Sequence, residues 1–109
     1  MKEIQLVKTF ELNASLESVK NKEVKEIFNG FRRRLLEIKL ISNEVLTKHK
    51  AAEPITVFCL SGKGIFRAGK DLQDEQKLQP GTLITLEAGV EHELSAEPEL
   101  HLLITKFKE

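Results

Sequence analysis

Gly81-Thr82-Leu83-Ile84-Thr85-Leu86-Glu87-Ala88-Gly89-Val90-Glu91-His92 is the stretch whose spacing decides the fold. Gly81 marks a turn ahead of a short extended segment, Ala88-Gly89 marks another, and the strand that follows has His92 near its beginning. Upstream, His49-Lys50-Ala51-Ala52-Glu53-Pro54 leads into the apolar run Ile55-Thr56-Val57-Phe58-Cys59-Leu60, which Ser61-Gly62-Lys63-Gly64 ends. A small β-barrel with two such segments a strand pair apart brings two distant imidazoles to one cavity.

Outward from these segments, the chain from residue 24 onward reads as short strands separated by turn residues, the pattern of an antiparallel all-β domain. Strands are predicted over 24–28, 33–41, 44–48, 55–60, 64–68, 71–78, 82–87, 90–96 and 100–107. Asn29-Gly30 predicts a hairpin turn between the first two, because a two-residue turn needs positive φ at both positions and Asn-Gly tolerates it best. In the second strand Leu36, Ile38 and Leu40 share one face. Gly62-Lys63-Gly64 imitates the start of a phosphate loop, but no helix follows, so it reads as a hairpin turn. Phe58, Phe66 and Phe107 are spaced like core aromatics. The pattern before residue 22 is weaker: an extended segment over 4–12, then one or two helical turns over 15–19 capped by Asn13 or Ser15. The expected fold class is all-β, a jelly-roll barrel over 23–109 with a short helical or extended N-terminal segment, 1–22.

With 109 residues the chain holds one domain and one packed core. Its 17 basic and 17 acidic side chains cancel, so no long-range field favours nucleic acid or an anionic membrane, and neither is expected as a partner. A small neutral or mildly polar ligand is the better expectation. No apolar run is long enough to span a bilayer, and Met1-Lys2-Glu3-Ile4-Gln5 does not read as a signal peptide, so a cytoplasmic location is expected. The one cysteine, Cys59, has no internal disulfide partner, which agrees with a reducing compartment.

From about residue 35 to 107 the sequence resembles the cupins, small barrels whose fold is a double-stranded β-helix. The family's second motif is a glycine, five residues, proline-any-glycine, two residues and a histidine. Gly81, Gly89 and His92 match it, with Glu87 in place of the proline and Ala96 where an asparagine usually follows. The first motif, which carries two histidines, a glutamate and a glycine, survives less well. Counting back from Gly62 puts Ile55 at the glutamate and Ala51 and His49 at the histidines. A second register takes His49 as the second histidine, with Thr47 at the first and Glu53 at the carboxylate. It fits Gly62 only if a bulge beside Pro54 absorbs the extra length. In an unbroken strand positions 47, 49, 51, 53 and 55 face the same way, so either register aims its residues at one side.

The resemblance implies a metal held by three histidines and a glutamate, of which this chain keeps His49, His92 and, in the second register, Glu53. Two imidazoles and one carboxylate suit a divalent ion such as iron, manganese, zinc or nickel. Without Glu53 only two protein ligands remain. Two functions from different classes follow. In the favoured one the barrel binds a small molecule in an apolar cavity lined by Val57 and Cys59, with His49 and His92 orienting the ligand. In the alternative, His49, His92 and Glu53 hold a metal and the protein is an oxygenase or isomerase. Against both stands a plain structural role, with His49 exposed in Lys48-His49-Lys50 and His92 a half-buried strand residue. His101 alternates with the core face, and Arg32-Arg33-Arg34 reads as a solvated edge. The segment 4–12 is expected to cover a partner's open sheet edge and bury Leu6, Phe10 and Leu12, making a homodimer.

Overall fold

The computed structural model describes residues 3–16 and 20–109. They form seven strands: β1 Lys22–Gly30, β2 Arg33–Leu40, β3 Val45–Lys50, β4 Ile55–Ala68, β5 Asp74–Leu78, β6 Leu83–Leu86 and β7 Glu91–Phe107. Every pairing is antiparallel. β4 and β7 pair with each other along nearly their whole lengths, Ile55 opposite Lys106 and Ala68 opposite His92. The outer partners change half-way. Residues 100–107 of β7 pair with β2, and residues 91–95 face β3. Likewise the start of β4 pairs with β6 and its end with β5. The bent β4–β7 ribbon thus belongs to both walls of a jelly roll, and their inward side chains meet in one core. Leu40, Val57, Leu78, Leu100 and Leu102 are its fully buried large residues. Among the described residues no helix is long and apolar enough to cross a membrane.

Two turn predictions are corrected. Gly62-Lys63-Gly64 is no hairpin turn, and the strands predicted over 55–60 and 64–68 are one 14-residue strand. The chain bends there through register shifts between Cys59 and Ser61 and between Gly62 and Gly64, and keeps the same partner, β7, on both sides of the bend. Both glycines serve close backbone approach. A Cβ on Gly62, whose φ is +85, would lie 2.1 Å from the Glu99 carbonyl oxygen, and one on Gly64 would lie 2.2 Å from that of Ser95. The segments predicted over 90–96 and 100–107 are likewise one strand, running through Glu97-Pro98.

The first hairpin turns at Phe31-Arg32, not at Asn29-Gly30, which lie inside the ladder opposite Arg34 and Arg33. Arg32 supplies the positive φ, 65°. Gly30 instead leaves room for the Phe28 ring, since a Cβ there would sit 2.4 Å from Cε2. The strand predicted over 71–78 starts only at Asp74, because Lys70–Leu72 forms a 3-10 turn. Of the three phenylalanines only Phe66 is in the core. Phe107 is 44% exposed and Phe58 is half-buried, each on the outward side of its strand. At the N-terminus, residues 3–11 have no regular secondary structure, and the helical turns predicted over 15–19 fall largely on 17–19, outside the described residues.

Candidate functional site

His49 and His92 are direct cross-strand partners of β3 and β7, with ring centroids 4.1 Å apart at 62°. Each is fixed the same way. His49 Nδ1–H donates to the Thr47 carbonyl at 2.7 Å, and His92 Nδ1–H donates to the Val90 carbonyl at 3.0 Å. A carbonyl can only accept, so both Nδ1 atoms carry a proton, and Nε2 keeps a lone pair in the neutral ring. Phe66 stacks on His92, with centroids 5.7 Å apart and planes 9° from parallel, and locks that ring. His92 is 4% exposed while His49 is at the surface. Burial, the stronger influence, and then the charges of His49 and Lys106 hold the His92 imidazole below its ordinary pKa against the opposing hydrogen bond to Val90.

These rings form one side of a cavity of about 130 Å³ inside the jelly roll. Leu36 and Ile38 of β2, Val57 and Phe66 of β4 and Ile104 of β7 make its apolar wall. Among the described residues the polar lining is His49, His92 and Lys106 alone.

The architecture is shared with solved structures of low sequence identity. A cupin superfamily protein of Desulfitobacterium hafniense superposes with a TM-score of 0.75 at 12% identity, over 86% of this chain and 84% of that one. A cupin of Methanocaldococcus jannaschii described as a double-stranded β-helix gives 0.73 at 15% identity, over 90% of both chains. The chain has the cupin fold. An oxalate decarboxylase of Bacillus subtilis also matches, at 14% identity and a TM-score of 0.65, over 71% of this chain but 21% of its own length. No protein-family model and no curated protein matches the sequence.

The residues of this cupin barrel do not fit a metal centre. Among the described residues no three histidine, cysteine, aspartate or glutamate side chains come together as ligands. His49 and His92 meet, but Glu53 lies in the bend after β3 and does not line the cavity. The expectation for Glu53 assumed an unbroken strand. The β3–β7 register shifts between Leu46 and His49, β3 ends at Lys50, and the Ala51 carbonyl is tied to Gly89 N at 2.9 Å, so the shared parity of 47–55 fails. Two imidazoles alone leave a divalent ion mostly to water.

Val57 lines the cavity as expected, whereas Cys59 does not. Cys59 is fully buried deeper along β4, its thiol 3.4 Å from the Ser61 carbonyl, and burial pushes its pKa to about 11 despite that contact. It packs as a small hydrophobe.

A second polar cluster lies on the outer face of the β2–β7 wall and escaped the sequence reading. Glu37, 3% exposed, accepts from Lys8 Nζ at 2.6 Å and faces His101 Nε2 at 2.5 Å. Phe10 closes over it, edge-on to His101 at 5.8 Å. Burial pushes the Glu37 carboxyl upward, but the hydrogen bonds and charges of Lys8 and His101 outweigh it and hold its pKa below the usual carboxylate value. The alternation of Leu36, Ile38 and Leu40 placed Glu37 on the outward face. Nothing local in the sequence signalled that residues 8 and 10 would cover it.

Proposed function

We propose that this cupin barrel binds a small organic molecule in the cavity behind His92. One observation carries the reading: two imidazoles, each fixed through Nδ1, and Lys106 are the polar side chains, among the described residues, on the apolar wall of one cavity. Side chains kept for packing alone have no need of such groups, and few convergent polar groups on an apolar wall are what orients a ligand. The volume matches a ligand of about one benzene ring, since a cavity of roughly 150 Å³ accommodates benzene.

Isoamyl alcohol, an apolar stem with one hydroxyl, is the probe. Titration should shift the imidazole nitrogen resonances of His92 saturably, and Val57→Phe, which fills the cavity, should abolish the shift. No saturable shift in folded wild-type protein with this alcohol, or with a carboxylic acid of the same size, would overturn the proposal.

We propose also that two copies pair through the N-terminal arm. Ile4, Leu6 and Leu12 are 90%, 80% and 62% exposed, while Lys8 and Phe10 of the same segment hold the arm on its own barrel. Such a clamped strip of apolar side chains fits burial against a second copy.

A further inference from the structure

We infer that the cavity takes a short-chain α-hydroxycarboxylate, its carboxylate paired with Lys106 and its hydroxyl donating to Nε2 of His92. The inference rests on the cavity being a ligand site and adds the chemical class. Three demands fix that class. First, the wall is apolar and small, so the body of the ligand is a short branched hydrocarbon. Second, both imidazoles have given their Nδ1 protons to backbone carbonyls. The buried His92, held below its ordinary pKa, therefore offers Nε2 as an acceptor, and a bare carboxylate set against it would meet a lone pair; the ligand must bring its own donor. Third, Lys106 reaches the same cavity and its charge is felt at His92.

Among the described residues Lys106 has no ion pair, and the acidic groups at this end are engaged or turned aside. Glu91 pairs with Lys48 at 3.4 Å, Glu26 with Arg34 at 2.9 Å, and Glu53 lies outside the lining. A half-buried lysine with no ion pair among the described residues, lining the same cavity as the His92 acceptor, leaves a place for one negative group and one donor. A hydroxyl on the carbon bearing a carboxylate supplies both in one small ligand.

The test compares three probes by calorimetry on the intact protein: α-hydroxyisovalerate, isovalerate, which lacks the hydroxyl, and isoamyl alcohol, which lacks the charge. The hydroxy acid should bind at least about tenfold tighter than either of the others. Lys106→Met, which keeps the stem, should remove the preference over isoamyl alcohol, and His92→Leu the preference over isovalerate. Unchanged thermal unfolding would show that each variant is folded. If isoamyl alcohol binds and the hydroxy acid binds no tighter, or Lys106→Met leaves its affinity unchanged, the α-hydroxycarboxylate assignment is wrong while the cavity proposal stands. If none of the three binds folded wild-type protein, the cavity proposal itself fails.

Discussion

His92 and Glu37 are two side chains, among the described residues, through which acid reaches this fold. Both have native pKa values below their ordinary ones, 6.5 and 4.5, so in both cases the unfolded chain takes up its proton first as pH falls. The stability linked to His92 is complete above pH 6.5 and is lost as pH drops from there through its native value; that linked to Glu37 is lost only below pH 4.5. Urea midpoints should therefore decline in two stages, and His92→Leu should remove the upper one; a wild-type midpoint flat between pH 7 and 5 would contradict this. The Lys8–Glu37–His101 cluster makes a separate prediction. Removing His101 takes one of two partners from the buried Glu37 carboxylate, a loss of roughly 1–3 kcal/mol, whereas replacing both members of the pair by apolar residues is often nearly neutral. His101→Leu alone should thus be destabilising. The double variant Glu37→Leu/His101→Leu should recover most of the loss, because Lys8, 39% exposed, can turn to water. Additive losses in the urea cycle would mean the pair is not coupled. Cys59, fully buried with a pKa near 11, should react with a thiol reagent only on unfolding; modification of native protein at neutral pH would show that β4 opens locally.

The elements that matter most are β4 and β7, since their shared bend turns one ribbon into two walls. The bend depends on Gly62, where positive φ coincides with a carbonyl 2.1 Å from where a Cβ would stand. Gly62→Ala should cost several kcal/mol, on the order of 3 or more, by backbone strain and overpacking together. Gly81→Ala, with open space around it, should cost about 1 kcal/mol. Comparable losses in chemical denaturation would mean the corner yields to a side chain. This bend is also where the sequence stopped being legible. The apolar runs, the face shared by Leu36, Ile38 and Leu40, and the matched Gly81, Gly89 and His92 were enough for an all-β cupin barrel and for bringing His49 beside His92. They were not enough to tell a corner from a turn, because a glycine that allows close approach and a glycine that reverses the chain are written alike. Asn29-Gly30 failed for the same reason: the glycine makes room for Phe28, and the reversal passes to Phe31-Arg32. Parity arguments gave Val57 and Cys59 the same inward face, which both have, though of the two it is Val57 that reaches this cavity. They broke past Lys50, where β3 had ended and Glu53 followed a bend. Lys106 was missed as a cavity residue because its position shows only when β7 pairs with β4 and β2 at once.

For the whole molecule the open question is what covers the arm. Residues 8 and 10 are anchored over Glu37 and His101, yet Ile4, Leu6 and Leu12 around them face solvent. Burying one such side chain is worth roughly 1.5–3 kcal/mol, and a two-fold interface counts each residue twice, so six side chains give on the order of 10 kcal/mol or somewhat more. Association itself costs an estimated 4–15 kcal/mol, so the gain exceeds the cost only if further surface joins in. β1 is the natural contributor, since among the described residues it pairs only with β2, and it carries exposed Val24. A dimer built this way is concentration-dependent, with dissociation expected in the micromolar range rather than below it. Deleting residues 1–12 is the blunt test, and it confounds two effects, because it also strips Lys8 and Phe10 from the buried Glu37 and weakens the monomer. Leu6→Asp/Leu12→Asp is cleaner: it leaves the clamp in place and charges only the outward strip. Light scattering over a range of concentrations should give a dimer for the wild type and a monomer of unchanged thermal stability for the double variant. A dimer that survives both aspartates would place the interface elsewhere on the barrel, and a wild type that stays monomeric at high concentration would leave the apolar strip without a second copy to cover it.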